Sequence, residues 1–247
     1  MKPRILPILF LAAFLAQSAS AVLYLGNGRS GFGGPVGGGS LEVTDDGVNL
    51  NFTFNRGTGD FNDTLVIYFD SDPNGAGSLP TSGEVGESIF AGRRAVVNEY
   101  GSGLVFGPGF QSDYAFSLRS AGSTSNHLFT TPAGANANTI GFITTAAVSN
   151  FGSATASSYT WTLSLADLGL NAGDSFSFVT SYGNPSDGFG ADATFRSNEA
   201  FGHDPGAANP GFDGVTISSA LSYTTVPEPA FVFLGGLGLL LLLGRRK

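Results

Sequence analysis

Apolar and polar residues alternate strictly over several short stretches of the chain. In the clearest stretch, Val48, Leu50, Phe52 and Phe54 are separated by asparagine and threonine. A period of two places such apolar side chains on one face of a β-strand. The same alternation recurs over residues 114–118 and 159–165. The pattern predicts half-buried strands whose apolar faces, Trp161 included, point towards a core.

Other strands are predicted from denser apolar runs. Residues 64–70 (TLVIYFD) are apolar at most positions, which predicts a central strand. Asp45-Asp46-Gly47 predicts a hairpin turn that joins residues 41–44 to the alternating strand. Three further strands are expected at residues 140–145, 174–182 and 215–224.

Helical patterns are almost absent between these strands. Only residues 165–170 suggest a helical turn, with Ser164 as its N-cap and Gly169 as its end. Residues 84–97 fit a helix and a strand equally, and the glycine-rich residues 26–40 are expected to form a loop or a linker.

Many short strands separated by turn residues predict a mainly β fold. We expect one domain over residues 22–225, a single antiparallel β-sandwich of jelly-roll-like form. A body of about 200 residues is an ordinary size for one such domain.

The first 21 residues have the pattern of a signal peptide. Lys2 and Arg4 precede an apolar stretch over residues 5–15, and Ala19-Ser20-Ala21 offers a small-residue cleavage site. This order of charged, apolar and small residues is typical of export signals. We therefore expect export, with cleavage after Ala21.

A second set of signals follows the predicted body. Pro227-Glu228-Pro229 precedes an uncharged, apolar run over residues 230–244, and Arg245, Arg246 and Lys247 follow it. Fifteen helical residues cover roughly 22 Å, and inclusion of the polar motif brings this close to the ~30 Å of a bilayer core. The run predicts a transmembrane helix whose basic end stays cytoplasmic.

The order of polar motif, apolar run and basic end resembles the PEP-CTERM sorting signal, which exosortases recognise in exopolysaccharide-making bacteria. The resemblance covers residues 226–247 and implies that Pro227, Glu228 and Pro229 are recognised by an exosortase. It also implies that the tail anchors a precursor in the membrane until it is cut. The mature protein is then expected at the cell surface or in the extracellular matrix.

A second resemblance concerns the body. The segments TLVIYFDSDPNG, QSDYAFSL and YTWTLSLADLGLNAGDSFSF together resemble DOMON and family-9 carbohydrate-binding domains. This resemblance implies a β-sandwich, in a superfamily whose members bind sugars or haem. A shared fold does not by itself assign a function.

The charge and the cysteine content of the chain argue against several kinds of function and site. The body carries six arginines and eighteen acidic residues, a net charge of −12 with histidine neutral. Such a surface disfavours nucleic acid, whose binding needs cationic side chains. The chain has no cysteine, so disulfides, thiolate metal sites and a cysteine nucleophile are excluded.

One loop has the ligand spacing of a calcium site. Asp70, Asp72 and Asn74 place oxygen donors at alternate positions before Gly75, as in the first half of an EF-hand loop. The twelfth position is Thr81 instead of glutamate. The alternative is an ordinary turn in which Asp and Asn bind their own backbone. Calcium is the only cofactor that the sequence suggests.

No catalytic constellation is visible. His127 and His203 are expected on the surface or in loops, and no Gly-x-Ser-x-Gly elbow occurs. The acidic residues that a glycosidase would need are interpreted as solvated loop charges; they are Glu84, Glu87, Asp187, Asp192 and Glu199. We expect a non-catalytic surface or matrix protein. The alternatives are a carbohydrate-binding or adhesive module, with or without calcium, and a polysaccharide-acting hydrolase.

Overall fold

The computed structural model describes residues 21–72, 91–96, 104–120, 126–132, 140–185, 194–205 and 215–227. All of these lie in one compact unit over residues 20–228. Two predicted segments, the signal peptide up to residue 20 and the membrane segment at residues 230–244, lie outside the described residues.

The described residues form thirteen strands, one α-helix and one 3₁₀-helix. The strands are β1 (Val22–Leu25), β2 (Ser40–Asp45), β3 (Asn49–Asn55), β4 (Thr64–Asp70), β5 (Leu104–Phe106), β6 (Tyr114–Arg119), β7 (His127–Thr130), β8 (Gly141–Thr145), β9 (Ser158–Ser164), β10 (Ser175–Asn184), β11 (Phe195–Arg196), β12 (Val215–Ile217) and β13 (Leu221–Thr224). The helices are α1 (Ala91–Val96) and the 3₁₀-helix Ala166–Leu168. The prediction of a mainly β chain is confirmed.

The first sheet is antiparallel and has the strand order β1-β2-β3-β9. The predicted hairpin joins β2 to β3, and Leu50, Phe52 and Phe54 are buried as their alternation requires. Val48 breaks the prediction, because it lies in the turn before β3 and is 64% exposed. The period-two pattern therefore extends one residue beyond the strand that it predicts.

The second sheet is also antiparallel, with the order β11-β10-β4-β6-β7-β8, and β13 pairs with the start of β10. β4 lies between β10 and β6, so the predicted central strand is confirmed. All its residues from Thr64 to Phe69 are buried, which requires cover on both faces of the sheet.

One face of the second sheet shares an apolar core with the first sheet. Residues of β2, β3 and β9 form a single cluster with residues of β4, β6 and β10. At its centre Trp161 stacks between Phe52 and Phe116, with ring centroids 5.1 and 5.5 Å away. This packing is consistent with the predicted β-sandwich and confirms Trp161 as a core residue.

The other face of the second sheet packs against a smaller cluster. Val66, Tyr68 and Val179 contribute from the sheet, and α1 and the parallel pair β5–β12 supply the covering side chains. This second layer explains why β4 is apolar on both faces. It also corrects the strand predicted at residues 215–224, which is two strands, β12 in the cover and β13 in the sheet.

Residues 26–39 form a fixed loop, which we call the glycine loop. Gly26 pairs with Phe201, the Asn27 amide donates to the Ala200 carbonyl, and the Asn27 side chain donates to the Asn198 carbonyl. The glycine loop is thus bound along residues 197–204. Of the two alternatives for this stretch, a loop is correct and a linker is not.

Candidate functional site

The C-terminal strand of the body continues into a buried threonine. β13 pairs with β10, and the next residue, Thr225, donates its amide to the Asp174 carbonyl at 2.9 Å. Its hydroxyl accepts the Gly173 amide at 2.8 Å and lies 3.1 and 3.0 Å from the carbonyl oxygens of Asn171 and Asp174. A hydroxyl has one proton, so it donates to one carbonyl at a time. Thr225 is therefore bound on three sides by the turn at residues 171–174.

The following residue is bound by a buried aspartate. Asp45 Oδ1 accepts the amides of Val226 and Gly47 at 2.9 and 3.0 Å, and Oδ2 accepts the Tyr223 hydroxyl at 2.7 Å. Burial, reinforced by the Asp45 carboxylate, raises the pKa of Tyr223. We call Asp45, Tyr223, Thr225 and Val226, together with the turn at residues 171–174, the C-terminal clamp.

Exposure rises sharply where the clamp ends. Thr225 is buried, Val226 is half-buried and Pro227 is exposed. Of the predicted recognition residues, the structure describes only Pro227, and it places this residue just outside the clamp. Glu228 and Pro229 lie outside the described residues, as does the basic end formed by Arg245, Arg246 and Lys247.

The predicted calcium loop is described as far as Asp72. Asp70 Oδ2 accepts the Gln111 amide at 3.1 Å, and Asp113 Oδ2 accepts the amides of Ser71 and Asp72, each at 2.9 Å. Burial, with the Asp113 and Asp72 charges, raises the pKa of Asp70.

These contacts use backbone donors, and they join residues 70–72 to Gln111 and Asp113. The described residues contain no group of three or more His, Asp or Glu side chains that could hold a metal ion. Asn74 lies outside them, so calcium binding stays a prediction.

An open cleft of about 450 Å³ lies beside this loop. Its polar walls come from Ser71, Asp72, Asp174 and Ser175, and the half-buried ring of Tyr114 lines one side. Hydroxyl and carboxylate groups around an aromatic ring can hydrogen-bond to and stack against a polar ring such as a sugar. Sequence reasoning identified Asp72 but did not bring Tyr114 and Asp174 to the same place.

The two histidines lie on different elements. His127, in β7, is half-buried, and its ring lies edge-on to Phe142 at 5.1 Å. His203 is buried against the glycine loop, and its carbonyl accepts the Asn27 side chain at 3.0 Å. His203 thus lies in a loop, one of the two expected placements, and it is not on the surface. Burial lowers the pKa of both rings.

The expectation that Glu199 is a solvated loop charge is wrong. Its side chain is fully buried. Its carboxylate accepts four backbone amides of the glycine loop. These donors are Phe32 at 2.7 Å and Gly34 at 3.1 Å to Oε1, and Val36 and Gly37 at 3.0 Å to Oε2. Glu84, Glu87, Asp187 and Asp192 lie outside the described residues.

One of the two buried acids had a signal in the sequence. Leu41 and Val43 are the inward positions of β2, and Asp45 continues the same phase. An acid in the inward phase of a strand needs buried partners, which here are the donors of the clamp. Glu199 follows no periodic pattern, so its partners could not be inferred.

Comparison with known protein families gives one match. Residues 225–247 match the PEP-CTERM protein-sorting motif. No significant match was found among curated proteins or solved structures. The chain thus carries a PEP-CTERM motif whose first residues belong to the C-terminal clamp. The resemblance to DOMON and family-9 domains is not confirmed.

The motif supports an exported, membrane-anchored precursor that is targeted to an exosortase. Within the part of the chain that the structure describes, no helix is long and apolar enough to cross a membrane. The segment predicted to do so, residues 230–244, is not in that part.

Proposed function

We propose that the chain is a non-catalytic protein of the cell surface or extracellular matrix that reaches its place through exosortase processing. The PEP-CTERM motif at residues 225–247 carries this proposal. In it, residues 1–21 direct export, residues 230–244 hold the precursor in the membrane, and Pro227-Glu228-Pro229 is the segment that the exosortase recognises. Arg245, Arg246 and Lys247 keep the tail oriented by staying in the cytoplasm.

In this proposal, the body that is delivered is a jelly-roll-like β-sandwich. The apolar core that the two sheets share supports this fold. The excess of acidic residues in the body disfavours nucleic acid as a partner. The exosortase is thus the proposed protein partner, and exopolysaccharide of the matrix is the proposed surrounding.

The test is expression of the full chain in an exosortase-producing host and in the same host without the enzyme. We expect released protein that lacks residues 230–247 in the first host and membrane-bound, full-length protein in the second. Fractionation and intact-mass measurement read both outcomes. Released protein that retains the tail would overturn the proposal.

A matched pair of variants isolates the motif. Glu228→Gln changes the charge at the centre of the motif and is expected to slow release at least tenfold. Glu42→Gln makes the same change at a half-buried position in β2 and is expected to leave release unchanged.

Carbohydrate binding is the second candidate, because the cleft beside Tyr114 combines an aromatic ring with hydroxyl and carboxylate groups. A glycan array with the purified protein, with and without calcium, tests it. Binding that is lost in Asp72→Asn and kept in Asp167→Asn, a change in the neighbouring 3₁₀-helix, would favour this role. An array without any bound glycan would remove it.

A further inference from the structure

The start of the sorting motif is part of the folded body. The motif match begins at Thr225, which is buried, and continues with Val226, whose amide is bound by Asp45. A protease acts on chain that can leave the folded surface, so cleavage of a held segment waits for local opening. The clamp therefore decides which peptide bonds of the motif are open to a processing enzyme.

Release of Thr225 and Val226 would break several interactions at once. The Val226–Asp45 bond, the Thr225–Asp174 backbone bond and the contacts of the Thr225 hydroxyl would all be lost. The buried Asp45 carboxylate would lose the Val226 amide and keep fewer donors, which opposes opening further. The opened form is thus rare while the clamp is intact.

The next residue is different. Pro227 is exposed and, as a proline, has no amide hydrogen that the body could bind. Val226 is therefore bound to the body, and Pro227, the next residue, is accessible.

We infer that the chain is cut on the C-terminal side of Val226, with Asp45, Tyr223 and Thr225 as positioning residues that keep the upstream bonds closed. The inference rests on the proposed exosortase processing. In the cut, one peptide C–N bond breaks, and its carbonyl carbon passes to water or to an amine acceptor. The departing nitrogen takes up a proton and leaves with the tail. The body keeps β13 and its complete clamp.

The first test is C-terminal peptide mass spectrometry of protein released from the exosortase-producing host. We expect every released chain to end at Val226 or beyond it. Asp45→Ala, which removes the acceptor of the Val226 amide, is expected to give additional ends between residues 221 and 225. Wild-type ends before Val226, or identical ends in both proteins, would overturn the inference.

A second test does not depend on the exosortase. Limited digestion of the full chain in detergent with a non-specific protease should nick the wild type after Val226 at least ten times faster than within residues 221–225. Equal rates would overturn the clamp even if the chain is never processed in the host. Full-length protein in the host together with a protected segment in this digest would instead overturn the proposed function alone.

Three variants separate the clamp from general instability. Asp45→Asn keeps one acceptor oxygen and is expected to restore the wild-type ends, whereas Asp46→Asn changes the exposed neighbour and should have no effect. Thr225→Val loosens the clamp from the side of the 171–174 turn and should add upstream ends. It carries the test if Asp45→Ala fails to fold, as judged by the emission of Trp161, the only tryptophan of the chain.

Discussion

Glu199 and Asp45 are both buried acids that accept backbone amides, yet they hold different kinds of segment. Glu199 takes all four of its donors from one continuous stretch, the glycine loop. Asp45 takes two amides and one hydroxyl from the hairpin turn and the end of the body. The part of the glycine loop that Glu199 holds includes the buried residues 34–37, whereas the clamp lies where the sorting motif begins.

The comparison shows how a chain without cysteine joins distant segments. Glu199 connects residues more than 160 positions apart, and Asp45 reaches Val226 across 181 positions. A hydrogen bond to a charged carboxylate is stronger than one between two neutral groups, and each of these acids accepts several such bonds. The two acids thus act as non-covalent cross-links, and Glu199, which has more donors, holds the glycine loop.

The largest expected effect comes from removal of charge at each acid. Glu199→Gln replaces an acceptor oxygen by an NH₂ group that faces two buried amides, and each unsatisfied group costs about 1–3 kcal/mol. We expect the free energy of unfolding to fall by about 3–4 kcal/mol for Glu199→Gln and by about 1–2 kcal/mol for Asp45→Asn. Urea unfolding followed by Trp161 fluorescence measures both.

The control for this pair is Glu42→Gln, the same change at a half-buried position of β2 that should stay within about 0.5 kcal/mol of the wild type. Equal losses for Glu199→Gln and Asp45→Asn would contradict the distinction between the glycine loop and the clamp.

A smaller effect is expected from glycine substitutions in the same two regions. A Cβ on Gly37 would collide with the Arg29 carbonyl oxygen, so the backbone of the glycine loop would have to move. A Cβ on Gly47 would make only ordinary van der Waals contacts, with the Val226 carbonyl oxygen at 3.8 Å and the Ala172 Cβ at 3.9 Å, so its φ of +81° is what opposes a side chain. Gly37→Ala should therefore lower the free energy of unfolding by about 2–3 kcal/mol, and Gly47→Ala by about 1 kcal/mol.

The same fluorescence measurement decides this comparison. A loss for Gly47→Ala that equals or exceeds the loss for Gly37→Ala would show that the hairpin turn, and not the glycine loop, is the tighter of the two.

Most of the strand content was predictable because it depends on local alternation. β3, β4 and β9 were predicted from the period and density of their apolar residues, and these are short-range properties. The second layer over β4 was not predicted, because α1 and β12 are distant in sequence and their own patterns are short or ambiguous. The division of residues 215–224 into β12 and β13 was missed for the same reason, since a continuous polar-apolar pattern does not show a change of sheet.

The residues of the sorting motif could be predicted from the sequence, but their contacts with the folded body could not. The motif around Pro227 was identified from residue order alone, and the family comparison supports it. Its attachment to Asp45 depends on a contact across 181 residues, which no local pattern encodes. The acid in the inward phase of β2 was the available signal, and the turn interpretation of Asp45-Asp46-Gly47 concealed it.

The smallest expected effect is on the stability of the protein at alkaline pH, and it comes from buried tyrosines in both regions. Tyr24 donates to the Ser222 carbonyl of β13 at 2.6 Å, and burial raises its pKa to about 12. Tyr182 lies edge-on to Phe32 of the glycine loop, and burial raises its pKa also.

The sign of the pH effect follows from the retained proton. Between pH 10 and pH 12 the unfolded chain loses the Tyr24 proton and the folded chain keeps it, so stability falls as pH rises through this window. We expect the melting temperature to decline above pH 10, and Tyr24→Phe to flatten the decline while leaving the behaviour below pH 9 unchanged in slope. Melting curves at half-unit steps from pH 8 to pH 12 measure this. An identical slope in Tyr24→Phe would show that the Tyr24 proton does not contribute to the alkaline loss of stability.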